Sequence, residues 1–372
     1  MRVWSDINLN NLIINLNLIK KLTSNNKKIL GVIKANAYGH GAVEIARELS
    51  ANGVSNFGVA CIEEAEELVK NRIRGKILIL GCTPLEEWDK AVSLGIQLTL
   101  SSYEEINYIE KKGLFPDIHV KIDTGMGRIG FSYEEAEKAI QYIKNKNIAN
   151  IKGIFTHLSV ADEDLEYTQK QVEIFKKIVD ENKDIEYFHI SNSAGILNVI
   201  NEGNMVRPGI ILYGIPVVKN RFSKEFKPVM SFKSKIIFLK EVKQDMPISY
   251  GKTYIAKKGE IIATVSAGYA DGINRKLSNT GEVYLKGKRC KIIGRVCMDQ
   301  MMIKIPKTLI GKVKVGDELE IFGENINIDE IAKISGTISY EILTNINNRV
   351  PRIYWKNGKI IRVNSLLGKE EI

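Results

Sequence analysis

At 372 residues, with 44% hydrophobic and 26% charged side chains, the chain is too long for one ordinary core and fits two globular domains. No apolar run approaches the roughly 20 residues that a membrane span needs. The formal charge of +10 comes as scattered pairs such as Lys27-Lys28, Lys111-Lys112 and Lys176-Lys177 among acids, which describes a solvated surface and excludes a nucleic-acid module. The N-terminal MRVWSDINLNNLIINL is broken by Asp and Asn and lacks a small-residue cleavage site, so no signal peptide is expected and the cytoplasm is the expected compartment. Cys61, Cys82, Cys290 and Cys297 have neither CxxC nor zinc spacing; they are expected as reduced thiols, with no metal site.

From residue 28 to about 214, short apolar runs alternate with longer amphipathic ones. The expected strands are 28–33, 56–61, 76–81, 96–101, 117–122, 151–157, 185–191 and 204–214. Between them, IEEAEELVKN, YEEINYIEKKG, YEEAEKAIQYIKNK and EYTQKQVEIFKKIVDEN repeat apolar positions every three or four residues, with Glu and Lys opposite. That period predicts helices. Strand–helix alternation implies parallel strands with right-handed crossovers, and eight strands in about 200 residues match a TIM barrel. A doubly wound open sheet is the structural alternative.

From about residue 226 the texture changes. SFKSKIIFLKEV, GEIIATVSAGY, GEVYLKGKRCKIIGRVCMDQMMIKI, DELEIFG and KIIRV are β-rich segments between Gly, Asp, Asn and Lys turns, with NIDEIAKIS and part of SYEILTNI as helix. The expected fold class is α/β: an N-terminal TIM-like (β/α)8 barrel over residues 1–225 and a mostly β domain over residues 226–372. Chemistry in such a barrel sits at the C-terminal ends of the strands. Those ends carry Lys34, Lys121 with Asp123, His157, Ser191-Asn192-Ser193 and Arg207, a pattern that core packing does not require.

Nine segments in order, VIKANAYGHG (32–41), VKIDTGMGRIG (120–130), FTHLSVAD (155–162), HISNSAG (189–195), RPGIILYG (207–214), ISYGKTY (248–254), SAGYADG (266–272), GRVCMDQ (294–300) and RVPRI (349–353), resemble the motifs of alanine racemases. The resemblance implies a barrel that binds pyridoxal 5'-phosphate (PLP), followed by a β domain. It also implies interconversion of L- and D-alanine by two bases, the D-alanine serving cell-wall peptidoglycan.

A lysine ending a strand is ordinarily a surface charge. Lys34, however, follows GVI and precedes an Ala-Asn-Ala-Tyr-Gly loop, so its stem enters the barrel mouth, where an amine can attach the cofactor's aldehyde. By resemblance it is the PLP anchor and the base for D-alanine. Racemisation needs a proton removed on one face and returned on the other, and the resemblance makes Tyr250 of SYG the second base. A phenol titrates near about 10, so it needs a polar or cationic neighbourhood, which His157 and Arg207 supply through a hydrogen-bond chain.

The resemblance assigns Arg207 to the pyridine nitrogen, with His189 supporting it. It assigns Tyr38, Ser193 and the amides of Gly209 and Ile210 to the phosphate, with Asn192 in the same loop. Some members carry a tyrosine before RVPR as a further phosphate ligand, where this chain has Asn348. Arg128 resembles the arginine that holds the substrate carboxylate, and Lys121 a lysine carbamoylated in many members; a plain Lys121–Asp123 pair is the alternative. Met298 is assigned to the substrate carboxylate through its amide, flanked by Cys297 and Asp299, and Tyr269 to the narrow entry.

The resemblance further implies a head-to-tail homodimer in which Tyr250 and the CMD segment reach the partner's barrel. A serine or broad-spectrum racemase is the nearest alternative. A PLP decarboxylase is disfavoured by Arg207, and a single-barrel PLP-binding protein by the β domain.

Overall fold

The first strand, β1 (Val3–Asn8), runs straight into the helix Leu9–Leu22. Eight parallel strands follow: β2 (Lys28–Val32), β3 (Asn56–Val59), β4 (Lys76–Ile79), β5 (Leu98–Leu100), β6 (Asp117–Lys121), β7 (Asn150–Phe155), β8 (Tyr187–His189) and β9 (Met205–Val206). The computed structural model describes residues 1–24, 26–200, 202–366 and 368–371. In it the runs β9-β2-β3-β4 and β5-β6-β7-β8 join through a parallel bridge, Leu78–Gln97, and an antiparallel one, His189–Gly203, and so form the expected eight-stranded barrel. Two of the surrounding helices start at sequence-encoded capping boxes, Ser102 with Glu105 and Ser132 with Glu135. Their three-and-four spacing buries Ile106 and Ile109 in one, and Ala136, Ala139, Ile140 and Ile143 in the other.

The expected strand at 204–214 is mostly not a strand. Only Met205–Val206 pair, and Ile210–Tyr213 make a 3-10 turn. Pro208 has no amide hydrogen to extend the ladder, and Gly209 and Gly214 bracket the turn.

Directly after β2 the backbone coils left-handed. Ala35, Asn36, Ala37 and Tyr38 all have φ of 52° or 53°, and Gly39 has 81°. Each such non-glycine residue costs roughly 1–2 kcal/mol. Several hydrogen bonds hold the turn. The amides of Ala37, Gly39 and Gly41 donate to the carbonyls of Ile33, Ala35 and Asn36 at 2.7, 2.9 and 2.9 Å. The Ala42 amide donates to the Asn36 side chain at 2.8 Å. The Glu64 carboxylate accepts from the amides of Ala35 (2.6 Å) and Ala60 (2.8 Å), clamping the ends of β2 and β3 together.

The chain separates into two compact units, Leu12–Lys227 and Met1–Asn11 with Pro228–Ile372. The second unit is built on β10 (Met230–Glu241), the hairpin β11 (Met246–Ile248) and β12 (Tyr254–Ala256), then β13 (Ile261–Val265), β14 (Glu282–Leu285), β15 (Lys288–Ile293), β16 (Met301–Ile305), β17 (Glu318–Phe322), β18 (Arg352–Lys356), β19 (Lys359–Ser365) and β20 (Gly368–Glu371). Its sheet runs β13-β16-β15-β14-β17-β10-β1-β18-β19-β20, and β13 also pairs back on β10. Register shifts between Phe232 and Lys233 and between Ile236 and Phe238 let the long β10 serve both neighbours.

The sequence reading puts residues 1–225 in one domain, whereas β1 lies in the β unit. It pairs antiparallel with β10 (Val3 opposite Ser234) and parallel with β18 (Ser5 opposite Arg352). Pairing over such separations leaves no local pattern to read. No helix among the described residues is long and apolar enough to cross a membrane.

The left-handed turn makes a stability prediction. Ala35 is exposed, so removing its methyl opens no cavity. Relief of about 1–2 kcal/mol of strain, against about 0.5–1 kcal/mol of backbone entropy, should make Ala35→Gly more stable by roughly 0.5–1 kcal/mol. A thermal melt reads this as a raised Tm, and a lowered Tm would show that the turn is unstrained there.

Candidate active site

Arg207, at the end of β9, is 4% exposed. Its guanidinium donates to the carbonyls of His189 (2.5 Å), Thr156 (2.6 Å) and Ile190 (3.1 Å), which end β7 and β8. It also faces two imidazoles, at 3.2 Å from His189 Nδ1 and 3.4 Å from His157 Nδ1. Burial, then Arg128, pushes its pKa down to about 9, so it stays cationic at neutral pH. Burial and this cation in turn push His157 down to about 2 and His189 well below its usual value. A guanidinium only donates, so each ring presents an Nδ1 lone pair to it, as a neutral imidazole can.

Lys34 begins the left-handed turn, half-buried at the end of β2. Burial first, then Arg128, lowers its pKa; Glu64 opposes and Arg207 adds. The balance shifts the amine toward the neutral form that a nucleophile or base must be. Facing this strand end, the Gly209 amide donates to Ser193 Oγ at 3.1 Å. A Cβ on Gly209 would lie 2.7 Å from the Tyr38 hydroxyl, so only glycine lets that phenol reach the backbone. Ile210 is fully buried behind it. Asn192 caps the short helix Ser193–Leu197 through the Gly195 amide (3.0 Å) and donates to the Leu158 carbonyl (3.0 Å), so both ends of its amide serve the scaffold.

Lys121 is 2% exposed. Its Nζ donates to the carbonyls of Ile122 (2.7 Å) and Ile129 (3.3 Å). Burial, then Arg207, with Arg128 adding and Asp123 opposing, brings its pKa to about 8. The alternative Lys121–Asp123 ion pair does not form. Asp123 instead accepts from the amides of Gly125, Met126, Gly127 and Arg128 at 2.8–3.2 Å, and so folds the loop that presents Arg128. Those amides outweigh burial and hold its carboxyl below the usual range.

The remaining sequence-predicted residues gather in the β unit. The β11–β12 hairpin carries Ser249 at φ 63°, and its hydroxyl donates to the Arg295 carbonyl (2.6 Å) and meets Cys297 Sγ at 3.4 Å. Gly251 has φ 72°, and a Cβ there would lie 2.8 Å from the Arg295 guanidinium carbon. Tyr250 between them is 70% exposed. With Cys297, Met298, Asp299 and Gln300 it lines an open pocket of roughly 400 Å³. The amides of Tyr269 and Ala270 donate to the carbonyls of Cys297 (2.9 Å) and Met298 (3.0 Å), pinning the entry tyrosine to the CMD segment. Fully buried Asp271 pairs with Arg2 (2.5 Å) and Arg349 (2.8 Å), and Arg349 reaches Asp299 at 2.7 Å. Asn348 is exposed beside that arginine.

Lys34, Tyr38, Lys121, Arg128, His157, His189, Asn192, Ser193, Arg207, Gly209 and Ile210 thus belong to the barrel, and Tyr250, Tyr269, Cys297, Met298 and Asp299 to the β unit. Sequence reasoning missed Glu64, Ser249 and the pairs around Asp271. Glu64 is one acid among several on an ordinary amphipathic helix, and the others have long-range partners. No group of three His, Cys, Asp or Glu side chains among the described residues is placed to hold a metal ion.

Two family models match: alanine racemase, N-terminal domain, over residues 7–216, and alanine racemase, C-terminal domain, over residues 229–354. The chain is 43% identical over 363 residues to an alanine racemase of Fusobacterium nucleatum, covering 95% of this chain and 99% of the relative. Among solved structures, it superposes on the alanine racemase of Clostridium difficile 630 with a TM-score of 0.93 at 41% identity, covering 98% of each chain. The Bacillus anthracis alanine racemase with bound L-Ala-P matches with a TM-score of 0.88 at 33% identity, covering 99% of this chain and 98% of that one. With 95% of its length matched in sequence and 98% in fold, the chain is an enzyme of the alanine racemase family.

Proposed function

We propose that the chain interconverts L- and D-alanine, with PLP held on Lys34 and a proton exchanged by two bases, Lys34 and Tyr250. The observation that carries this reading is a lysine with a lowered pKa at the end of β2, in the same barrel as a buried arginine whose guanidinium meets two neutral imidazoles. The barrel residues fit such a cofactor. Gly209 leaves a cradle that a Cβ would fill, with the Tyr38 hydroxyl, Ser193 Oγ and the backbone amides of Gly209 and Ile210 as donors for a phosphate. Arg207 is a permanent donor for a ring nitrogen. Asn192 shapes this loop as a cap. When bound, PLP supplies an electron-withdrawing ring that makes the substrate's α-proton acidic enough to leave.

This chain's residues do the rest. Arg128 pairs with the substrate carboxylate, and the Met298 amide adds a second donor, flanked by Cys297 and Asp299. Lys34 Nζ takes or returns the α-proton on one face, and Tyr250 Oη acts on the other. His157, which accepts from Arg207 at Nδ1, keeps its proton on Nε2 and can pass the influence of that cation to the phenol. Tyr269 narrows the entry and favours a methyl side chain. The proposed assembly is a homodimer, and Tyr250 of the partner subunit completes each barrel site. The high exposure of Tyr250, Met298 and Tyr269 in one chain supports that arrangement. The proposed product, D-alanine, serves peptidoglycan synthesis, and the proposed compartment is the cytoplasm.

Carbamoylation of Lys121 belongs to the same proposal. A lysine at about pKa 8 is partly neutral at physiological pH. The cations Arg128 and Arg207 nearby would stabilise an anionic product and let it orient Arg128. With 13C-bicarbonate, a carbamate resonance should appear that Lys121→Ala removes; a resonance unaffected by that change would sink the assignment.

The purified protein with PLP should racemise alanine, and Lys34→Ala should lose both the visible absorbance and the activity. Tyr250→Phe should slow α-proton exchange with deuterated solvent from L-alanine by about 10²–10⁴-fold, far more than from D-alanine. Small, equal effects on the two enantiomers would assign the second base elsewhere.

The shared site has its own test. Lys34→Ala and Tyr250→Phe homodimers each hold two defective sites, whereas a mixed dimer holds one doubly defective and one intact site. Equal mixing with subunit exchange makes half the dimers mixed, so activity should return to about a quarter of wild type. No recovery, with exchange verified by tagged subunits, refutes the shared site.

A further inference from the structure

Behind Arg207 the barrel interior holds a third histidine for which the proposed function has no use. His119 lies on β6, two residues before Lys121, so the two share a face of the strand. It is 1% exposed. Its Nδ1 lies 2.8 Å from His189 Nε2, while His189 Nδ1 lies 3.2 Å from an Arg207 nitrogen. The direction of every bond in this chain follows from chemistry. A guanidinium only donates, so His189 Nδ1 must be a lone pair. A neutral ring then carries its proton on Nε2, which points at His119 Nδ1, and that nitrogen must be a lone pair as well. A charge on either ring would oppose donor to donor, and burial first, then the cations Arg207, Lys121 and Lys152, disfavour it.

At the far end of the chain, His119 Nε2 is buried and has no hydrogen-bond partner among the described residues. His119 therefore acts on its surroundings through Nδ1. The fold makes room for that nitrogen: a Cβ on Gly153 of the adjacent β7 would lie 2.4 Å from it. The Tyr187 ring lies parallel to the imidazole, 6° off plane and 6.1 Å away.

We propose that His119 is a positioning residue for Arg207: by accepting from His189 Nε2, it locks His189 in the one neutral tautomer that can accept from the guanidinium. Without that acceptor, His189 is free to carry its proton on Nδ1, where it would push the arginine off its seat. The tautomer claim stands on the protein alone; its consequence for catalysis rests on the function proposed above.

The test is 15N-imidazole NMR of the full-length protein, with and without PLP. The chain has only four histidines, so single substitutions assign every signal. At neutral pH, His119 and His189 should both be neutral Nε2–H tautomers. His119→Leu should shift His189 toward the Nδ1–H tautomer and lower kcat by about tenfold, the lower end of the loss on removing an orienting partner, with little change in KM. His119→Asn, whose amide oxygen takes the place of Nδ1, should restore both. An Nδ1–H or imidazolium form of His189 in the wild type overturns the proposal, and this arm needs no variant to fold. An unchanged His189 tautomer in His119→Leu, or equal losses in the Leu and Asn variants, also overturns it. Tautomers that respond as expected in a protein that does not racemise alanine uphold the positioning role and refute the proposed function instead.

Discussion

A guanidinium buried in a barrel, with no carboxylate within ion-pair distance among the described residues, is the constraint around which the rest of this site is arranged. An uncompensated buried charge is costly, and here backbone carbonyls of residues 156, 189 and 190 converge to offset it. The strand ends must therefore keep their registry, because the carbonyls count only if they point inward together. The cation then acts at a distance on its neighbours. It disfavours a proton on His157, His189, Lys121 and Lys34 alike, in each case adding to the effect of burial. Burial and one fixed positive charge thus act in the same direction on two imidazoles and on the lysine amines.

Much of this was legible in the sequence, for reasons that differ by element. The alternation of short apolar runs with three-and-four-spaced helices is local, and it located the barrel strands to within a few residues. Lys34, Lys121, His157, Ser193 and Arg207 stand out in the sequence because strand ends in a barrel face one mouth, whereas Arg128 stands out only through the resemblance of its DTGMGR segment. The left-handed turn was not legible, since residues 35–38 include no glycine to announce it. Its hydrogen bonds reach Glu64, which resembles every other glutamate on its helix. Residues 204–214 have the apolar content of a strand, but Pro208 and the two glycines turn the chain after Val206. The period of two along β6 puts His119 on the same face as Lys121, but it lies short of the strand end, where chemistry in a barrel is expected.

The β unit was legible as β, but its closure was not. A single strand, β10, bends twice and joins β17 on one stretch and β13 on the other, and nothing in SFKSKIIFLKEV marks where the partners change. Tyr250 sits on a hairpin loop whose conformation depends on Ser249 in a left-handed conformation and on a guanidinium stacked against Gly251. Those constraints come from residues some 45 positions further on, so the SYG motif carries its geometry only once β15 and the loop after it are in place.

The placement of β1 has a consequence for how the chain is made. Residues 12–227 form one contiguous unit, whereas the β unit joins segments from either side of it, since Ser5 pairs with Arg352. During synthesis the barrel can collapse as soon as its own residues have emerged. The first strand must wait, with both edges unpaired, until β10 and finally β18 are translated. Long-range pairing of this kind is slow, and it leaves an edge exposed to other chains meanwhile. Three polar residues, Ser5, Asp6 and Asn8, the last two half-buried, keep that waiting segment from being wholly apolar. Ribosome-bound chains stopped before β18 would then carry a finished barrel and an unfinished sheet, with β1 still lacking its second partner.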